Sequence, residues 1–314
     1  MEGLVYKSTG NWYDVHTDSD KIYKCNIRGK FRSYGIKSTN PVAVGDHVFF
    51  DITNEIESRG IITAIDKRKN YIIRKSVNLS KQTHIIASNI DYCFLFVTPS
   101  NPITSTLFID RVLLSTKSFG INTILLFNKI DIYSDDDIEY VENLFHSYSK
   151  IGYKCLKVSV KEKINIDQVK NYMNNNVSVF TGHSGVGKTS LMNVLDESLK
   201  LRTSEISKQN EQGQHTTTFA EMFDLENGAK IIDSPGIKGF GLIDINKNEL
   251  GGYFPEIANY SKDCKFNNCL HLKEPNCAVK LAVENNKISS FRYNNYLNIL
   301  NDNQDNFRIN SYIE

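Results

Sequence analysis

The stretch VSVFTGHSGVGKT, Val177 to Thr189, decides how the rest of the chain is read. Its apolar residues Val177, Val179 and then Phe180 have the period of a buried strand. At Gly182 that strand breaks into a glycine-punctuated loop ending in Lys188 and Thr189. The spacing completes GxxxxGKS/T. Gly182, Gly185 and Gly187 let backbone N–H groups turn inward and cradle phosphates at the head of the following helix. His183, Ser184 and Val186 fill the loop, and Ser190 follows Thr189 into the helix. Lys188 would reach the β- and γ-phosphates, and the Thr189 hydroxyl would hold Mg²⁺. A chance match in a glycine-rich turn is the plain alternative, and the strand before and helix after count against it.

Ahead of that loop, from Asn89, strand and helix patterns alternate, which predicts an α/β domain with a parallel sheet. Asp91 to Thr98 reads as a buried strand, Thr106 to Phe119 as a helix closed by Gly120, and Ile121 to Phe127 as a second strand. That strand runs straight into Asn128-Lys129-Ile130-Asp131. A helix to about Lys150, a strand from Cys155 to Val158 and a helix from Ile166 to Met173 lead back to Val177. The NKxD tetrad chooses a base. A carboxylate at Asp131 accepts from guanine N1–H and the exocyclic amine together, whereas adenine has neither donor and leaves it unpaired. Asn128 would contact the guanine edge and brace the loop, and the Lys129 stem would pack along the base. Alone, NKxD is a common helix start; directly after a buried strand, beside a phosphate loop, it is specific. Ser159, closing the short strand, is a further candidate because the backbone there could meet guanine O6.

Beyond the loop, GQHTTT (Gly213 to Thr218) is polar, and one of Thr216, Thr217 or Thr218 could close on Mg²⁺ beside the γ-phosphate. Edge β-structure before Phe219 is the plain alternative. Ala229 to Ile232 reads as a strand ending in Asp233-Ser234-Pro235-Gly236. There Asp233 can hold Mg²⁺ through water, and the Gly236 N–H can sense the γ-phosphate. A complete guanine-nucleotide set is thus present with its base-reading turn ahead of its phosphate loop. Termini of compact domains often lie close together, so joining them and opening the chain elsewhere preserves the sheet; the order predicts a circularly permuted P-loop domain. After Gly236 stands Ile237 and not a water-orienting Gln, so unaided turnover should be slow. His215 is the candidate for positioning the attacking water, against the plain reading of an exposed loop histidine.

Residues 1 to about 70 are short alternating runs between turn residues, with no helical period, which predicts a small OB-like β-barrel. Arg28, Lys30 and Arg32 fall around one turn with Phe31 and Tyr34 between them, a pattern suited to RNA contact, although solvated turns have the same look. At the other end, Cys264-x₄-Cys269-x-His271-x₅-Cys277 offers three thiolates and one imidazole. These would fill a tetrahedral Zn²⁺ shell and leave no open position, so the site should be structural. Cys25, Cys93 and Cys155 stand apart as core thiols. From Lys280 the chain reads as helical, with Tyr293, Tyr296 and Leu297 on one face.

A chain of 314 residues has room for three such units, expected at 1–70, 71–240 and 241–314. A net charge of +1 argues for no particular partner, yet leaves room for a locally basic face. Met1 opens no basic run followed by an apolar core, and no 18-residue apolar stretch occurs. The expectation is a cytoplasmic protein with no membrane span.

The permuted order, the barrel before it and the Cys₃His spacing after it closely resemble the bacterial RsgA (YjeQ) family. So do Arg68-Lys69-Asn70-Tyr71 through Arg74-Lys75, Leu79-Ser80-Lys81-Gln82 and Gly182 to Ser190. The resemblance implies a monomeric enzyme cycling between GTP and GDP. It also implies hydrolysis stimulated by the small ribosomal subunit, a role in that subunit's late maturation, and a barrel that touches its rRNA. Gln214 ahead of His215 departs from the Arg or Lys expected in many relatives. A zinc-stabilised RNA-binding scaffold that uses GTP mainly as a ligand is the alternative the residues leave open.

Overall fold

The computed structural model describes residues 1–27, 41–75, 83–199, 220–233 and 245–301. Arg28, Lys30, Arg32, His215, Thr216, Thr217, Thr218 and Gly236 lie outside them. The first unit is built from β1 (Glu2–Ser8), β2 (Tyr13–His16), β3 (Ile22–Ile27), β4 (His47–Asn54) and β5 (Arg59–Ile65). They follow the order β1-β2-β3-β5-β4, and β1 pairs β4 to close the barrel. Alternation turns Val5, Tyr13, Val15, Tyr23, Cys25, Val48, Phe50 and Ile62 inward as its core. A ribbon of β6 (Tyr71–Lys75) and antiparallel β7 (Thr83–Ser88) leads out of it. The fully buried Asp46 carboxylate fixes this exit. It accepts both Nε and Nη2 of Arg68 at 2.6 Å, the Ser88 hydroxyl at 2.6 Å and the Ala43 N–H at 2.8 Å.

The central sheet contains β8 (Tyr92–Val97), β9 (Asn122–Asn128), β10 (Lys154–Val158), β11 (Val177–Thr181), β12 (Glu221–Asp224) and β13 (Lys230–Asp233). Its order is β10-β9-β8-β11-β13-β12, all parallel except β12. Helices α1 (Thr106–Ser118), α2 (Asp135–Lys150), α3 (Ile166–Met173) and α4 (Lys188–Leu195) cover it. Period two divides the strands between the two faces. Cys93, Leu95 and Val97 pack with Ile109, Val112, Val141 and Leu144 of α1 and α2. Phe94 and Phe96 pack with Val169, Met173, Leu191 and Leu195 of α3 and α4. Ser105 caps α1 through the Phe108 N–H, and Ser134 with Asp137 forms a capping box on α2. The chain enters this sheet at β8, steps outward through β9 and β10, then crosses back past β8 to β11. The reversal opens a crevice at the carboxyl ends of the strands.

Barrel and central sheet are continuous. Lys7 of β1 is the register partner of Glu221 of β12, with their side chains in a 3.0 Å ion pair. At the far end of β12 the Tyr6 hydroxyl donates to Asp224 at 2.7 Å and accepts from Lys230 at 2.6 Å.

The C-terminal unit holds α5 (Pro255–Ser261), α6 (Ala278–Glu284) and α7 (Ser290–Asn301). Among the described residues, the helical run expected from Lys280 onward is two helices, interrupted where Asn286 takes φ +56°. This unit shares its core with Leu114 of α1. A charged cluster locks it there. Arg292, 2% exposed, makes a two-pronged bond to Glu256 at 2.6 and 3.2 Å and pairs with Asp110 of α1. Asp110 also accepts from Tyr148 at 2.7 Å and from Asn295 at 2.6 Å. No helix among the described residues is long and apolar enough to cross a membrane.

Replacing Arg292 strands two buried carboxylates. Arg292→Met should therefore cost about 3–5 kcal/mol of stability, measured as a fall in the urea midpoint, and adding Asp110→Asn and Glu256→Gln should recover part of it. An unchanged midpoint in the single variant would mean that the cluster contributes no stability.

Candidate functional site

Four strand ends converge at the crevice, and the loops they carry bring together most of the expected residues that are described. The phosphate loop leaves β11 and re-enters as α4. Gly187 has φ +105°, and a Cβ there would lie 2.4 Å from Asn128 Nδ2; only glycine lets the loop close on that amide. Gly182, at φ +141°, likewise backs onto the Phe96 carbonyl, 3.0 Å from where a Cβ would stand. Lys188 folds back across the loop, its ammonium donating to the carbonyls of Gly182 at 2.7 Å and His183 at 2.6 Å. Ser184 and Gly185 form the exposed tip, while Thr189 and Ser190 lie in the first turn of α4. The His183 ring packs on Phe108 of α1, centroids 4.3 Å apart. Burial lowers its pKa and the neighbouring Lys188 lowers it further, so the imidazole stays neutral at physiological pH.

The NKxD turn joins this loop directly. Asn128, 1% exposed, donates from Nδ2 to the Val186 carbonyl at 2.8 Å and accepts from the Val160 N–H at 3.3 Å. Its own carbonyl accepts from the Tyr133 hydroxyl at 2.6 Å. Lys129 turns the chain at φ +70° and sends its ammonium to the Asn101 carbonyl at 2.5 Å; burial lowers that ammonium's pKa, opposed by Asp131. Ile130 and Asp131 lie in the short 3₁₀ turn that follows. The Ser159 hydroxyl donates to Asp131 Oδ1 at 2.6 Å and accepts from the Glu162 N–H at 3.0 Å. The Ser159 amide is engaged by the Ile164 carbonyl at 3.2 Å, so this residue brings a side chain to the carboxylate and not a free N–H to the crevice. Asp233 ends β13, register partner of Glu221, next to the phosphate-loop strand.

The Cys₃His set stands apart, against α7. The ligand atoms of Cys264, Cys269, His271 and Cys277 all lie within 4.8 Å of one another. Cys264 and Cys277 Sγ are 3.9 Å apart, and His271 Nδ1 is 3.7 and 3.4 Å from them. A tetrahedron of thiolates about 2.3 Å from zinc has edges of about 3.8 Å, so the donor set fits that ion. Burial pushes the Cys269 thiol up to about 12 and raises that of Cys277, so holding these two sulfurs as thiolates requires a cation beside them.

Sequence reasoning missed two participants. Phe108 left no signal, because an aromatic on a helix face reads as core. Glu274, which braces the His271 turn, sits between members of the Cys₃His set as an unremarked carboxylate.

Comparison with known proteins covers nearly the whole chain. Residues 65–243 match the family model described as RsgA GTPase, and residues 2–62 match the RsgA N-terminal domain. A relative from Christiangramia forsetii, named small ribosomal subunit biogenesis GTPase RsgA, is 54% identical over 99% of both chains. One of the same name from Flavobacterium psychrophilum is 56% identical over 99% of this chain and 96% of its own. Among solved structures, YjeQ from Thermotoga maritima superposes with a TM-score of 0.78 at 33% identity, covering 95% of this chain and 96% of its own. YloQ, described as a circularly permuted GTPase, superposes at 0.73 with 30% identity, covering 95% and 93%. A family model spanning most of the central sheet, and relatives matched end to end at more than half identity, leave one assignment: the chain belongs to the RsgA family and is a GTPase.

Proposed function

We propose that this GTPase acts in late maturation of the small ribosomal subunit, with hydrolysis stimulated by that subunit. The observation that carries the nucleotide part is the Asn128 amide bridging the NKxD turn and the phosphate loop, which holds a base site and a phosphate site at fixed separation. Asp131, oriented by Ser159, reads guanine; Asn128, Lys129 and Ile130 shape the base subsite. Gly182 to Ser190 hold the phosphates, with Lys188 leaving its loop carbonyls for them. Thr189, Asp233 and one of Thr216, Thr217 or Thr218 hold the Mg²⁺ that neutralises phosphate charge, and Gly236 follows the γ-phosphate. The ribosomal part rests on the names of the relatives. In this reading the barrel contacts rRNA through Arg28, Lys30 and Arg32, so binding would weaken with salt. We take the working units as residues 1–70, 71–240 and 241–314, in a monomer that acts in the cytoplasm.

Ile237 in place of a polar residue favours a second reading, a scaffold for which GTP is a ligand. Stimulated turnover separates the two. GTPase rates measured with and without purified small subunits should rise sharply with them, and His215→Ala should bind GTP and subunits normally yet lose most of that rise. No stimulation of the unaltered protein would leave the scaffold reading standing. Full stimulation of His215→Ala would assign the water to another group.

Base selection has its own test. Asp131→Asn should lose its preference for GTP and accept xanthosine triphosphate, because the new amide donates to the oxygen that replaces the guanine amine. Sites built to pair a polar group reject its absence by about 10⁴-fold, so competition between the two nucleotides reads the swap directly. Retained GTP preference removes Asp131 from the site.

For the Cys₃His cluster, metal analysis of protein purified without chelator should give one zinc per chain. Cys269→Ser should destabilise the C-terminal unit while GTP binding persists. Less than about a tenth of an equivalent in the unaltered protein would exclude zinc.

A further inference from the structure

We propose that Glu274 is a positioning residue for the zinc ligand His271, holding the imidazole toward the thiolates by taking both backbone N–H groups that flank it. The inference rests on the zinc reading above and extends it to residues that do not touch the ion.

His271 occupies the left-handed region at φ +58°, which a side chain with a Cβ rarely adopts unless its surroundings impose it. The imposing groups are all present. Glu274 Oε1 accepts from the Leu270 N–H at 2.8 Å and Oε2 from the Leu272 N–H at 2.7 Å, so one carboxylate straddles the residue between them. On the carbonyl side, the Tyr293 hydroxyl donates to His271 O at 2.5 Å and the Tyr296 hydroxyl to Leu270 O at 3.0 Å, both from α7. These four bonds hold the main chain on both sides of His271, and so fix the direction in which its Cα–Cβ bond projects toward Cys264 and Cys277. The imidazole is 3% exposed, so no solvent contact holds it in place.

The chemistry selects a carboxylate. Two N–H donors need two acceptor oxygens on one short side chain; glutamine offers one, and its NH₂ would face the second donor. Groups that orient a metal ligand without binding the metal cost about 10–100-fold in affinity when removed.

The test uses full-length protein. Zinc affinity is read by competition with a chromophoric chelator, and coordination by the visible spectrum of the cobalt(II)-substituted protein. Glu274→Gln should bind zinc about 10–100-fold more weakly and shift the cobalt bands as the imidazole moves. Tyr293→Phe should show a smaller effect of the same kind. Leu300→Ala, which thins the core of the same unit away from the turn, is the stability control and should keep the native cobalt spectrum. Glu274→Gln within about twofold of the unaltered protein, or weakened with an unshifted spectrum like Leu300→Ala, overturns the positioning role. Absence of zinc from the unaltered protein is a different result: it overturns the zinc assignment itself.

Discussion

The nucleotide site depends on a single buried carboxamide. Asn128 uses its amide hydrogen on the Val186 carbonyl and its oxygen on the Val160 N–H, so the loops after β9, β10 and β11 meet at one side chain. A buried amide left unpaired costs about 1–3 kcal/mol, which penalises any arrangement in which these loops drift apart. Gly187 is the complement of this interaction, since any side chain there would displace the amide. Permutation leaves the arrangement untouched because it depends on strand adjacency, and the adjacency of β9, β8 and β11 does not record which strand the chain visits first.

The two flanking units are attached by different physics. The barrel joins edge to edge, through the β1–β12 rung at Lys7 and Glu221, and the strand it extends is antiparallel to the one that ends at Asp233. The C-terminal unit joins face to face, through apolar packing on Leu114 and the Asp110–Arg292–Glu256 cluster. A half-exposed pair such as Lys7–Glu221 contributes little by itself, so the strand junction leans on backbone pairing and on Tyr6. The helix junction carries a buried charge balance that tolerates no partial loss.

Much of this was legible in the residues. The strand before Gly182, the NKxD turn after β9, the helix from Ile166 to Met173 and the Cys₃His spacing are local patterns with local causes, and local causes survive in sequence. The barrel showed itself by alternation, although Tyr13–His16 is too short to announce a strand. What escaped was set by distance. Nothing near Asp110 foretells Arg292, and nothing near Lys7 foretells Glu221, because each pair is chosen by how finished layers meet. Ser159 was legible as a candidate at its strand end, but its hydroxyl contact with Asp131 was not, because the pattern does not encode a hydroxyl's rotamer. The break at Asn286 was signalled by Asn285-Asn286, since asparagine favours the left-handed position just past a helix end, and the reading from Lys280 onward ran over it.

The Asp110–Arg292 pair spans 182 positions of the chain, and synthesis runs from one end to the other. Without α7, which supplies Arg292 and Asn295, the described donors to the buried Asp110 carboxylate reduce to Tyr148. Burying a charge with so little compensation is costly, so α1 has reason to stay loosely seated until α7 arrives. Phe108 rides on the same helix and buttresses His183 of the phosphate loop. Through α1, the seating of α7 and the support of the phosphate loop therefore belong to one packing arrangement.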